Sequence, residues 1–191
     1  MTRDEAQKLV MNNGLLLKEM PDEFKKDKLI VLQAIQLDHK QYTTQDDYWG
    51  RLNEYHQPFF YADESLKNDR EFVLKAVEQN GSSLKYAAEK FKKDKEIVLK
   101  AVSSPQMFFA LFCADTSLQN DREIILAAVK NDGSIWSSLP EKFKKDKEIL
   151  LLAIDNDMGS DFHYVEEPLR NDPEVKKALK LAFDKKYKSN G

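Results

Sequence analysis

The sequence predicts an all-α fold, a helical-repeat solenoid of six to seven units of about 25 residues with two helices each. Three observations carry that expectation. A phrase recurs as KKDKLIVLQAI at 25–35, KNDREFVLKAV at 67–77, KKDKEIVLKAV at 92–102, QNDREIILAAV at 119–129 and KKDKEILLLAI at 144–154. Large apolar residues keep a fixed register to it, and glycines follow it at a nearly constant distance.

The anchors of the phrase are Asp27, Asp69, Asp94, Asp121 and Asp146, with a weaker copy at Asp172, so successive intervals are 42, 25, 27, 25 and 26 residues. A degenerate seventh unit is expected to start at Asp4. In the copy reading Asn171-Asp172-Pro173-Glu174, proline falls where the first helical residue belongs, because the amide it lacks would be unsatisfied there. Each anchor is therefore expected to be an N-cap, with Glu71, Glu96, Glu123, Glu148 or Glu174 two places on, near the positive end of the helix dipole. The recurring carboxylate is read as structural, not catalytic.

Two helices per unit follow from the apolar spacing. Before Asp94 the apolar residues are Leu84, Tyr86, Ala87 and Phe91; after it they are Ile97, Val98, Leu99, Ala101 and Val102, which predicts a longer, more buried second helix. The Leu84 position holds Leu17, Phe59, Leu111, Trp136 and Phe162 elsewhere, and the Phe91 position holds Phe24, Leu66, Leu118, Phe143 and Leu169. Gly14, Gly81, Gly133 and Gly159 are expected to close the long helices with positive φ. Ser103-Ser104-Pro105 replaces the glycine in one unit.

The pairing of Asn68 to Val77 with Asn80 to Ala87 resembles the domain-of-unknown-function family numbered 4116. The likeness covers most of residues 15–181. It implies tandem units of two short helices in a bacterial protein, and it brings no established activity, cofactor or catalytic residue.

The chain departs from the repeat between Asp27 and Asp69, where about 17 extra residues fall within an insertion at about 38–58. The insertion carries His39, Tyr42, Asp46, Asp47, Tyr48, Trp49, Arg51, Glu54, Tyr55 and His56. Insertions in repeat arrays map to loops on one face, and Tyr, Trp and Arg dominate interface hot spots. Tyr42, Tyr48, Trp49, Arg51, Tyr55 and His56 are thus the candidate partner-binding residues. The alternative is that these aromatics pack on the neighbouring unit as an extra helix over 46–55. The histidines and acids of the insertion match no metal-ligand spacing, so no metal, cofactor or catalytic residue is assigned.

Other features are read as structural. His163 falls at the solvent-facing Lys85 register, and Cys113 at the Tyr86 register, as a small buried thiol. Lys25-Lys26, Lys92-Lys93 and Lys144-Lys145, each followed by a lysine at 28, 95 or 147, would form a cationic edge. Aspartates sit inside every such cluster, so nucleic-acid or acidic-ligand binding along that edge is the lesser alternative, and an enzyme or metal site in the insertion ranks below it.

Composition sets the remaining bounds. The chain has 191 residues, 41% hydrophobic and 33% charged, with 30 basic and 33 acidic residues, which excludes a uniformly basic duplex binder. Its single cysteine forms no internal disulfide, and no apolar run approaches a membrane span, so a cytoplasmic monomer is expected. One continuous domain over 1–184 is expected, followed by a basic tail at 185–191. The functional expectation is a noncatalytic scaffold that binds a protein or peptide partner through its repeat face and the insertion.

Overall fold

An aspartate ahead of a helix-forming run can accept hydrogen bonds from the first-turn amides. The computed structural model, which describes residues 1–38, 57–105, 110–156 and 161–188, places every anchor in that role. Asp27 accepts from the amides of Leu29 and Ile30, and Asp69 from Phe72. Asp94, Asp121, Asp146 and Asp172 each accept from the amides two and three residues on.

Among the described residues the long helices are α1 (Arg3–Asn12), α2 (Lys28–Asp38), α3 (Arg70–Gln79), α4 (Lys95–Val102), α5 (Arg122–Asn131), α6 (Lys147–Asp155) and α7 (Pro173–Lys188). The last runs into the stretch expected as a tail. The expected start at Asp4 is corrected: Thr2 caps α1, accepting from the Glu5 amide at 3.3 Å while its own amide donates to Glu5 Oε2 at 2.7 Å. That reciprocal capping box puts Asp4 inside the first turn.

In three units the shorter helix is really two pieces. A six-residue 3-10 helix comes first, at Gly14–Glu19, Gly81–Tyr86 and Gly133–Ser138. A single α-turn follows, at Asp22–Lys25, Glu89–Lys92 and Glu141–Lys144. Between them Met20 and Leu139 are extended because each precedes a proline, which disfavours the helical region. Ala62 and Ala87 adopt the same extended backbone without one.

The joint between long helix and 3-10 helix explains the glycines differently from the sequence expectation. The turning residue is the one before glycine. Asn13, Asn80 and Asp132 have φ of −150°, −148° and −147°, end the long helix, and accept through their side chains from the amides of Leu15, Ser82 and Ser134. Neither Gly14 nor Gly133 has positive φ. They are needed for close approach: a Cβ on Gly14 would overlap the Ala34 carbonyl, and one on Gly133 the carbonyls of Ala153 and Asn156.

The core follows the same register. Counting from each cap, positions three, four, seven and eight are buried in α2 (Ile30, Val31, Ala34, Ile35), α3 (Phe72, Val73, Ala76, Val77), α4 (Ile97, Val98, Ala101, Val102), α5 (Ile124, Ile125, Ala128, Val129) and α6 (Ile149, Leu150, Ala153, Ile154). Leu99 is only half-buried. The seventh position is always alanine in these helices, and Ala34 and Ala153 are where the preceding glycines press in. Each large apolar side chain removed from water contributes roughly 1.5–3 kcal/mol.

The described residues fall into two compact bodies, Met1–Leu118 and Gln119–Gly191. In the first, α1 packs on α2, α2 on α3 and α3 on α4, while the 3-10 segments Gly14–Glu19, Pro58–Tyr61 and Gly81–Tyr86 form a second row. The second body packs α5 on α6 and α6 on α7, with Gly133–Ser138 against both α5 and α6. The helix expected over 46–55 lies outside the described residues.

Candidate functional site

Three surfaces follow from this architecture: the edge of caps, the outer side of the 3-10 row, and a cavity in the second body. The caps come first because they use the most charge. In each body the basic residue just after one cap reaches the next cap. Arg3 meets Asp27 at 2.6 Å, Lys28 meets Asp69 at 2.5 Å, and Arg70 meets Asp94 at 2.9 Å and Glu96 at 2.5 Å. Arg122 pairs with Asp146 and Glu148, and Lys147 with Asp172 and Glu174.

These contacts hold several anchors as carboxylates. The Arg3 hydrogen bond holds Asp27 below the ordinary carboxylate range, as the Lys28 bond does for Asp69 and the Lys147 bond for Asp172. At Asp94 burial pushes upward, but the bonds from Arg70 and the Ile97 amide outweigh it. The expected cationic edge is therefore laced with acid: Lys25 pairs with Asp22, Lys26 with Asp63, Lys92 with Glu89, Lys93 with Asp115 and Lys144 with Glu141.

The 3-10 row of the first body carries aromatics one register past the core. Phe59 is buried against Phe72, ring centroids 5.8 Å apart, so its neighbour Phe60 turns outward and is 38% exposed. Phe60 packs edge-on to Tyr61 at 5.1 Å and to Tyr86 of the next unit at 5.6 Å. The Lys67 ammonium lies 5.5 Å from the Phe60 ring centre, and Lys85 the same distance from Tyr86. Phe112, 41% exposed, sits on the helix Ala110–Cys113 that packs against Gly81–Tyr86. The signal was in the sequence: Phe60 and Phe112 occupy the position where other units carry Lys18, Lys85 and His163.

The second body contains a cavity of about 1070 Å³ between the 3-10 helix Gly133–Ser138, the turn Glu141–Lys144 and residues 163–170. Trp136, Lys144, Lys145, Tyr164, Glu166 and Arg170 are among the side chains that line it. Trp136 is 2% exposed, and its indole Nε1 has no acceptor.

Of the residues singled out from the sequence, Tyr42, Tyr48, Trp49, Arg51, Tyr55 and His56 lie outside the described residues. His163 is exposed, as its register implied, and it borders the cavity. Cys113 is partly buried, and burial pushes its thiol up, away from the thiolate. Among the described residues no group of three or more His, Cys, Asp or Glu is gathered as a metal ion would require. No described helix is long and apolar enough to cross a membrane.

Capped helices in a fixed register, joined by 3-10 segments and repeated along the chain, define an all-helical tandem-repeat protein. The chain belongs to the family described as domain of unknown function DUF4116, whose model matches residues 3–43, 52–92, 69–119, 94–144 and 121–158. The first two matches leave 44–51 between them, inside the insertion. The comparison with curated proteins gives no match, and neither does that with solved structures.

Proposed function

We propose that the protein is a noncatalytic interaction scaffold, a cytoplasmic monomer of a bacterial host that binds a protein or peptide partner. The observation that carries this reading is the aromatic strip of the first body, where Phe60 packs on Tyr61 and Tyr86 beside Lys67 and Lys85 and the exposed Phe112 sits on the helix packed against Gly81–Tyr86. Aromatic side chains of this kind supply large, rigid contact area and are enriched at interface cores. The same reading assigns Tyr42, Tyr48, Trp49, Arg51, Tyr55 and His56 of the insertion to partner contact.

The test is retention of a partner from host lysate by the intact chain, by Phe60→Ala/Phe112→Ala and by Tyr48→Ala/Trp49→Ala, each first shown to keep its helical circular dichroism. The reading expects a nuclease-resistant protein partner that is lost with the aromatics. Retention that is indifferent to both double variants, or that nuclease abolishes, overturns it.

A further inference from the structure

The repeats supply their own control for the cavity in the second body. At two earlier junctions of the lysine-paired kind, an aspartate six residues before the next anchor makes the same two contacts. The Asp63 amide donates to the Lys25 carbonyl at 3.0 Å, and its carboxylate faces Lys26 at 3.8 Å. The Asp115 amide donates to the Lys92 carbonyl at 2.8 Å, and its carboxylate faces Lys93 at 3.9 Å. Both belong to Asp-x-Ser segments in which the serine amide and hydroxyl bond back to the carboxylate.

At the third junction of this kind the lysines are Lys144 and Lys145, and the corresponding residue is Glu166. Neither contact forms. Among the described residues no amide reaches the Lys144 carbonyl, and no carboxylate pairs with Lys145. Beside these lysines lies the cavity of about 1070 Å³, whose lining includes Trp136, the cations Lys144, Lys145 and Arg170 and the carboxylates Glu141, Glu166 and Glu167.

We propose that this cavity is a binding site for an acidic peptide segment of a partner protein, of Asp-x-Ser character, which donates a backbone N–H to the Lys144 carbonyl and whose carboxylate accepts from the Lys145 ammonium. The chain's own Asp63 and Asp115 segments are already held at their junctions, so neither fills the site, and the occupant proposed is a segment of a partner protein. The site has the chemistry of the two filled junctions, an open carbonyl beside an ammonium, on a wall that includes a buried indole. It rests on the reading of the chain as a peptide-binding scaffold, yet it uses no residue of the aromatic strip or the insertion.

The probe is a blocked, fluorescein-labelled peptide with the sequence of residues 62–68, Ala-Asp-Glu-Ser-Leu-Lys-Asn. Binding to the full chain is followed by fluorescence anisotropy. Saturable binding with Kd below about 1 mM is expected, weakened at least about fivefold by Asp→Asn in the peptide and equally by Lys145→Ala in the protein. Lys145 is exposed, so that variant is expected to fold; circular dichroism checks it. The Phe60→Ala/Phe112→Ala protein should bind the peptide as wild type does, which separates failure of this site from failure of the strip. Absence of saturation, or equal binding by the Asn peptide or by Lys145→Ala, overturns the proposal.

Discussion

Gly133→Ala tests the close-packed joint most directly. A methyl group there would run into the carbonyls of Ala153 and Asn156, which are backbone atoms and have no rotamer to escape into. Relief requires the 3-10 helix to move away from α6, which stretches the Gly133 amide bond to the Asn156 carbonyl, now 2.9 Å. Overpacking of this kind costs roughly 1–3 kcal/mol, and loss of one backbone hydrogen bond about 1 kcal/mol. Against this stands a gain of roughly 0.4–1 kcal/mol from the lower unfolded-state entropy of alanine, available because Gly133 is not in the left-handed region. The net expectation is a loss of about 1–3 kcal/mol. In urea unfolding followed by far-ultraviolet circular dichroism, with a slope of about 2 kcal/mol per molar, the midpoint should fall by roughly 0.5–1.5 M. A midpoint that stays or rises would refute the argument that this glycine exists for close approach.

Further outcomes follow from the caps and core. Asp94→Ala should cost about 1–2 kcal/mol by the same assay, through the lost cap and the Arg70 contact, whereas Asp94→Asn, which still caps, should cost less than about 1 kcal/mol. Ile97→Ala, at a fully buried position, should cost about 2–5 kcal/mol, and Leu99→Ala clearly less. Acid should unfold the chain in a defined direction. Because Asp27, Asp69, Asp94 and Asp172 have depressed folded-state pKa values, their contribution is complete above the unfolded value of about 3.9. It is lost as pH falls through the folded values. The urea midpoint should therefore hold from about pH 7 to 5 and drop below about pH 4; a midpoint independent of pH down to about 2.5 would show that the ion-paired caps contribute nothing.

What could be read from the sequence is what is local to one unit. An aspartate, its glutamate two places on and the apolar positions at three, four, seven and eight all act within one helix, so the caps and core are legible residue by residue. The glycines misled because their constraint is not local. Asn-Gly after a helix usually signals positive φ, but here asparagine makes the turn and glycine makes room for the following helix. Phe60 and Phe112 were hidden by their neighbours: Phe59 and Leu111 fill the core, and the outward residue beside each looks like part of the same apolar run. The cavity arises from a mismatch between Lys144-Lys145 and Glu166 some twenty residues on, and only the pairing at the other junctions gives that mismatch meaning.

The charges around the anchors have a task that the core cannot perform. Every long helix of the interior presents nearly the same branched residues and the same alanine to its neighbour, so burial favours stacking without distinguishing one unit from another. The residues flanking the caps do distinguish them. Lys-Asp-Lys at 26–28, 93–95 and 145–147 alternates with Asn-Asp-Arg at 68–70 and 120–122. At the first kind of junction a lysine meets an aspartate of the following short turn, as Lys26 meets Asp63 and Lys93 meets Asp115. At the second an arginine fork spans a cap and the glutamate two places beyond it, as Arg70 spans Asp94 and Glu96 and Arg122 spans Asp146 and Glu148. A slip by one unit would set those lysines against Ala88 or Pro140, which offer no carboxylate. Each exposed pair is worth at most about 1 kcal/mol, small beside the core, yet the sum over a junction falls on the correct register alone. The ion pairs therefore specify the order of the units while apolar burial supplies their cohesion, and Lys145, left without its acid, is where that code stands open to another chain.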